Sequence, residues 1–329
     1  MRYTYKPHGS ACPVCKNQKS HVLYTVNSKE AALHFKTTGW HDPNDLNRFE
    51  TLKQTIESLW NQNEGHVVEC KACKFVYAHP YIAGNADFYN GAFDDGYPSE
   101  KWEFEQTLKS VKQQKHFPNL KILEVGSGIG FFLKHLLSLG ISPSSIEATE
   151  YSKQGVKALK DLGVTVYEAD IRALYANNVI KASDYDMIFV FQVMEHLDSL
   201  GEFMSVMQNL LKPGGNFYMA VPNPNRIRFN ELNGGFLDIP PNHINRFSPQ
   251  SLDILAKENG FKIINMQTEP EKLSSIMGSF FYQRSIRRLQ LNQRSPSNIQ
   301  AKIQFNLYRL KCWAKGLPGE GFWIHLQKK

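Results

Sequence analysis

Leu123-Glu124-Val125-Gly126-Ser127-Gly128-Ile129-Gly130-Phe131 follows the apolar start of a strand at Leu120 and opens a helix-like stretch that closes at Gly140. A strand that turns through glycines into a helix lets a ligand approach the backbone, because glycine carries no Cβ. A dinucleotide fold would place the third glycine of Gly-x-Gly-x-x-Gly at position 131. Phe131 stands there, and Gly130 comes one residue early. A Walker loop would need Gly-Lys-Ser/Thr, which is missing. The turn therefore suits a ligand without a pyrophosphate, and it carries an acid, Glu124, on the strand just before it.

Outward from this turn, strand and helix signals alternate, which indicates a parallel α/β sheet. Strands are expected over Leu120–Val125, Ile146–Thr149, Val164–Tyr167, Asp186–Phe191, Asn216–Val221, Phe261–Met266 and Gly321–Gln327. Helices are expected over Phe131–Leu139, Lys153–Leu162, Gly201–Leu211 and Ser251–Asn259, and an earlier one from Ser99, as N-cap, to Lys115. Glu150 ends the second strand, where an acid can accept from both ribose hydroxyls. Asp170 follows the third strand, where it can receive an adenine amine or cap a helix. Gly126 and Gly128, Glu150 and Asp170 thus fall along one carboxyl edge, the edge at which open α/β sheets bind ligands.

Glu-x-Gly-x-Gly-x-Gly, Glu150, Asp170, Met194-Glu195-His196-Leu197 and Lys212-Pro213-Gly214-Gly215 occur here in the order seen in class I S-adenosyl-L-methionine-dependent methyltransferases. The sequence resembles most the subgroup related to ubiquinone-biosynthesis methyltransferases, over about 119–270 plus the last strand. The resemblance implies a Rossmann-like α/β fold, a seven-stranded sheet of order 3-2-1-4-5-7-6 with the seventh strand antiparallel. It also implies a donor site at Glu124, Gly126, Ser127, Gly128, Gly130, Glu150, Tyr151, Asp170, Ile171 and Gln192. A hydroxyl or acidic-carbon acceptor needs a base, and the candidates are Glu195, His196 and His243, the last within Pro240-Pro241-Asn242-His243-Ile244-Asn245-Arg246-Phe247-Ser248. Glu195 also fits a helix cap, and His196 a packing role against the cofactor.

Cys12-Pro13-Val14-Cys15 and Cys70-Lys71-Ala72-Cys73 form Cys-x2-Cys twice, a pattern suited to tetrahedral zinc. The long, polar, partly helical spacer must loop out between the pairs. Lys16 and Lys74 occupy the places where such knuckles usually carry glycine. A redox pair is the rival reading for either half. The first ten residues hold no apolar core, so no secretory signal is expected, and the cytoplasmic setting that follows keeps thiols reduced. Cys-x-x-Cys followed by Phe75-Val76-Tyr77, with Phe88-Tyr89 beyond, resembles the zinc-binding N-terminal domain of certain sugar C-methyltransferases. That implies a small-molecule or glycan acceptor: a sugar, nucleotide sugar or glycan precursor. Those enzymes tend to carry Tyr where this chain has Val193, so O-methylation is at least as consistent as C-methylation.

The expected organisation is a zinc-ribbon-like module at 1–80, a linker and helix at 81–118, and a methyltransferase domain at 119–329. A helical insertion is expected at about 271–317. Ile299, Ile303, Leu307 and Leu310 recur there at helical spacing. Hydrophobic residues at 42% and charged residues at 21% fit an ordinary globular chain, and no apolar run is long enough to span a bilayer. The net charge of +7 is uneven, because Glu271 to Lys329 holds eleven Lys/Arg against two acids. Arg284, Arg287 and Arg288 beside Phe280, Phe281 and Tyr282 suit contact with phosphates, or a solvated lid. A nucleic-acid partner is not expected, since no binding module is recognisable. An RNA or protein methyltransferase that docks through the cysteine module is the alternative. It lacks the Asn/Asp-Pro-Pro-aromatic motif after the fourth strand of the sheet.

Overall fold

The structure, a computed structural model, describes residues 3–38, 46–92, 101–114, 119–232, 238–270 and 319–329, with 299, 300, 303, 306, 307 and 310. Its first part comprises β1 (Lys6–His8), β2 (Ser20–Asn27), α1 (Ser28–Thr38), α2 (Leu46–Trp60), β3 (Glu64–Cys70), β4 (Val76–His79) and α3 (Ala86–Ala92). The four strands pair antiparallel in sequence order. The helices α1 and α2 fill the spacer between the cysteine pairs. Leu52, Ile56 and Trp60 recur every four residues along α2 and bury one face of it with Leu23, Val26 and Phe35.

Each cysteine pair sits in a tight knuckle. Lys16 N donates to Cys12 O, and Lys74 N to Cys70 O. Lys16 and Lys74 both take left-handed backbone, at φ 59° and 60°. The missing glycines are therefore conformationally felt, since a Cβ in that region costs about 1 kcal/mol. Lys74→Gly is expected to raise stability by about that amount. Lys16→Gly gains less, because it also gives up the bond from Lys16 Nζ to Pro13 O. Thermal melts of the two variants check this, and a fall in Tm for Lys74→Gly would contradict it.

The second part begins with α4 (Trp102–Val111) and continues through β5 (Ile122–Val125), α5 (Phe131–Ser138), β6 (Ile146–Thr149), α6 (Lys153–Asp161), β7 (Thr165–Tyr167) and α7 (Ile171–Ala176). Then come β8 (Tyr185–Phe191), α8 (Leu200–Leu210), β9 (Leu211–Pro222), α9 (Pro224–Leu232), β10 (Asn245–Arg246), α10 (Pro249–Glu258), β11 (Phe261–Thr268) and β12 (Gly321–Lys328). Seven strands form one sheet in the order β7-β6-β5-β8-β9-β12-β11. Numbered within the sheet this is 3-2-1-4-5-7-6, with β12 antiparallel to both neighbours. The expected fold is the observed one. The continuous apolar run of β8 lies at the sheet's centre, buried from Met187 to Phe191 by helices on both faces.

Local signals explain most boundaries. Ser152 Oγ accepts from Gly155 N to start α6, and Gly163 stops it at φ 76°. Ser248 and Pro249 start α10. Three expectations need correction. Ser99 lies outside the described residues, and the helix begins at Trp102 with Lys101 at the cap position and no side-chain cap bond. Packing holds it instead: Phe104 lies against Phe132 and Phe191, and Thr107 Oγ1 accepts from Trp323 Nε1. The fifth strand of the sheet is twelve residues, because Leu211 already pairs with Tyr185 before an irregularity that contains the glycine turn. Third, β10 was unforeseen. It leaves the second part to pair with β4 as the fifth strand of the N-terminal sheet.

Ile299, Ile303, Leu307 and Leu310 are helical as expected, and 54–72% exposed. The arginine–aromatic cluster and the rest of the insertion, apart from 300 and 306, lie outside the described residues. Among the described residues no helix is long and apolar enough to cross a membrane.

Candidate active site

The sheet delivers the expected edge. Gly126 N and Ser127 N both donate to Thr149 O at the end of β6, and Gly128 N donates to Glu150 Oε2 at 2.8 Å. Ser152 N donates to Glu150 Oε1, also at 2.8 Å. Glu150 is therefore fixed by backbone donors on both oxygens, and the glycine turn and the acid move as one unit. Gly126 has φ 73°, and a Cβ there would fall 2.6 Å from Val193 Cγ2. Gly130 is likewise left-handed, at the start of α5. Glu124 is buried, its Oε2 has no hydrogen-bond partner, and burial pushes its pKa up to about 8. An orphaned acid beside a bare glycine turn fits a ligand that brings its own donors.

Asp170 caps α7 through Arg172 N, and its two oxygens also take the Arg172 guanidinium. Accepting an adenine amine would use lone pairs that remain after this clamp. Ile171 is buried beside it, while Tyr151 is 67% exposed at the open edge. Gln192, in left-handed backbone at the end of β8, donates from Nε2 to Glu103 Oε1 at 3.0 Å. Glu103 and Gly155 had no signal in the motifs. A Cβ on Gly155 would meet Gly128 O and Glu150 Cγ, each at 2.6 Å. The carbonyl cannot swing aside as a side-chain tip can. Gly155→Ala is expected to weaken S-adenosylhomocysteine binding about tenfold, in line with overpacking costs of about 1–3 kcal/mol. Calorimetry checks it, and an unchanged Kd would refute it.

The three base candidates meet in one cluster. Ile244 N donates to Glu195 O, and Asn245 Nδ2 donates to the carbonyls of Met194 and Leu197. These bonds stitch the His243 segment to the Met194–His196 turn, and the two imidazoles lie 4.7 Å apart, edge to face. His196 Nδ1 donates to Asn242 O at 2.9 Å, with Tyr89 Oη 3.1 Å away, so its Nε2 carries the lone pair, 3.9 Å from Glu195 Oε1. Burial and the neighbouring His243 depress the His196 pKa to about 3, which keeps it neutral. His243 Nδ1 contacts Asp238 Oδ1 at 2.7 Å. Burial works against charge on His243, but the hydrogen bond and the charge of Asp238 outweigh it and raise its pKa. Glu195 does not cap a helix: Ser199 stands at the start of α8. Glu195 is 1% exposed, its Oε2 has no partner, and burial raises its pKa to about 7. Ligand atoms of Glu195, His196 and His243 all lie within 4.8 Å of one another, a spacing that would also admit a cation. Asp238, which orients His243, escaped the sequence reading, although an acid five residues before a histidine in a loop was its available signal.

The four thiols also converge. Cys12 Sγ lies 3.6 Å from Cys73 Sγ, Cys15 Sγ lies 3.5 Å from Cys70 Sγ, and all four sulfurs lie within 4.8 Å of one another. None is in a disulfide. A tetrahedron with metal–sulfur bonds of about 2.3 Å has edges of about 3.8 Å, so the donor set fits zinc. The knuckles sit inside the core shared with the catalytic half, where Phe75 packs on Phe247 and Ser248 Oγ donates to Cys73 O.

The family pattern described as a methyltransferase domain matches residues 100–265, half of the chain. The chain belongs to this methyltransferase family. Curated relatives of the chain include the ubiquinone biosynthesis O-methyltransferase of Caulobacter vibrioides. It is 29% identical over 110 residues, which are 32% of this chain and 42% of that protein. The protein of the same name from Burkholderia thailandensis is 30% identical over 122 residues, 36% of this chain and 51% of that one. The chain thus spans about half the length, or less, of these relatives. Among solved structures, an S-adenosylmethionine-dependent methyltransferase from Mesorhizobium loti is 12% identical with a TM-score of 0.47. The match covers 70% of this chain and all of that one. The methyltransferase family pattern begins at residue 100, so it takes in α4 and, of the cysteine-bearing sheet, only the strand β10.

Proposed function

We propose that this protein transfers a methyl group from S-adenosyl-L-methionine to a hydroxyl or carbon of a small acceptor, with His243 as base. The acceptor class we favour is a sugar, nucleotide sugar or glycan precursor, on the resemblance of the cysteine module and its following strand to sugar C-methyltransferases. The reading rests on one observation. An oriented imidazole, a neutral imidazole and an orphaned buried carboxylate converge beside the strand ends that carry the glycine turn and Glu150.

The donor supplies an electrophilic methyl carbon whose bond to sulfur breaks as the bond to the acceptor forms. Glu124, the turn from Gly126 to Gly130, Glu150, Tyr151, Asp170, Ile171 and Gln192 would hold it, as would Ser127. Asp238 fixes the His243 tautomer with Nδ1–H inward, which leaves Nε2 to take the acceptor's proton. His196, kept neutral by burial, accepts a hydrogen bond without adding positive charge near a sulfonium. Glu195 is buried and the two imidazoles partly exposed, and alignment of the acceptor beside them carries much of such a displacement. Cys12, Cys15, Cys70 and Cys73 would hold one structural zinc.

Titration calorimetry of intact protein with S-adenosylhomocysteine is the direct test, followed by a labelled-methyl screen over sugars, nucleotide sugars and small phenols. Folded protein that gives no heat with S-adenosylhomocysteine would remove the reading.

A further inference from the structure

A cavity of about 490 Å³ opens at the carboxyl edge between β8 and β9, next to Gln192. Four carboxylates line it: Glu103, Asp238, Glu269 and Glu320. Among its described lining residues only Lys101 and Arg226 are cationic. Their partners show where negative charge is left over. Asp238 is matched by His243, and Glu320, at the open rim, by Arg226 Nη2 at 3.4 Å. Among the described residues Glu103 Oε1 takes only the neutral amide of Gln192, and Glu269 Oε2 the backbone N–H of Gly321. Lys101 Nζ lies over the Phe104 ring, 5.7 Å from its centroid. Glu103 is 4% exposed, so its charge is held largely out of water.

A second, independent observation points the same way. Asn230, 6% exposed, lines the same cavity, and its carbonyl Oδ1 has no hydrogen-bond partner. A buried acceptor without a donor is destabilising until something supplies one. Among its described residues the wall therefore carries more carboxylates than cations, with one buried carbonyl open to a donor. An occupant that balances it brings N–H donors and a positive charge. An ammonium group has three donors and no acceptor, whereas a phosphate or carboxylate has the opposite inventory. We propose that this cavity selects acceptors that carry a protonated amine, as an amino sugar does, and turns away acceptors whose phosphate or carboxylate would have to enter it. The proposal deepens the methyltransferase reading and rests on it. The amine is a recognition group, separate from the atom methylated, because an ammonium nitrogen has no lone pair to attack with.

The same chemistry could come from the amino-acid end of the donor, and the experiment separates the two sources. Saturation-transfer NMR is run on full-length, metal-loaded protein with cyclohexylamine, cyclohexanol and cyclohexanecarboxylate. Each is measured with and without saturating S-adenosylhomocysteine. The amine is expected to bind at least tenfold more tightly than the other two, with S-adenosylhomocysteine bound. Glu103→Gln, which keeps an acceptor for Gln192 but removes the charge, is expected to weaken amine binding several-fold. Glu269→Gln is expected to act in the same direction. Equal binding of alcohol or carboxylate, loss of the amine when S-adenosylhomocysteine is present, or indifference to both substitutions overturns the proposal. Failure of the donor reading shows separately, as absence of S-adenosylhomocysteine heat while the amine still binds.

Discussion

His243→Ala is expected to lower kcat by about 10²–10⁴-fold, the usual worth of a positioned base, with the affinity for S-adenosylhomocysteine unchanged. The split follows from placement. His243 hangs on Asp238 and faces His196 and Glu195, whereas Glu150 and the glycine turn are tied to each other on the neighbouring strands. Equal loss of binding and turnover would instead mark a structural role. The pH profile carries a second reading of the same group. A base works when unprotonated, and Asp238 raises the His243 pKa above 6.5. Turnover should therefore rise with pH along a limb above that value. Glu195, at about 7, lies close enough that the limb belongs to the pair. Asp238→Asn keeps the shape and removes the charge. It should lower the plateau and move the limb to lower pH, a shift that mere loosening of the loop would not give.

Loss of zinc is the second large effect. One zinc per chain is expected, and metal–thiolate binding in small modules is worth about 10–16 kcal/mol at neutral pH, comparable to a whole domain's stability. Chelation, or Cys70→Ser with Cys73→Ser, should melt the N-terminal sheet. Turnover should fall with it, although none of these four cysteines belongs to the base cluster. The route is short: Ser248 bonds Cys73 O, Phe247 packs on Phe75, and Asn245 and Arg246 pair with Tyr77 and Val76. His243 lies two residues upstream of that pairing. Elemental analysis with melts before and after chelation checks the claim. Metal-free protein with full activity and an unshifted Tm would defeat it.

Much of the catalytic half was legible because its signals are local. Glycines after a strand, acids at strand tips and the apolar run of the strand expected at Asp186–Phe191 each fix a position by short-range sterics or burial. What escaped depends on partners distant in sequence. Asn245 and Arg246 read as loop, since two residues have no period. They become a strand because β4 offers an unpaired edge, and because Arg246 is held by Glu231 and Tyr24 from two other elements. Glu103, in the first turn of α4, serves as the partner of Gln192, eighty-nine positions away. Glu195 had a local cap reading that failed because its side chain turns inward, where only the folded chain supplies walls.

The strand at Asn245–Arg246 also bears on how this protein can be cut and recombined. A graft of residues 1–80 onto another catalytic half would arrive with one ladder of backbone groups open and with Tyr24 deprived of its buried guanidinium. The reverse truncation would leave that arginine and Glu231 facing water. A working chimera has to carry 238–248 with the N-terminal piece, so the heritable unit of this fold is discontinuous along the gene.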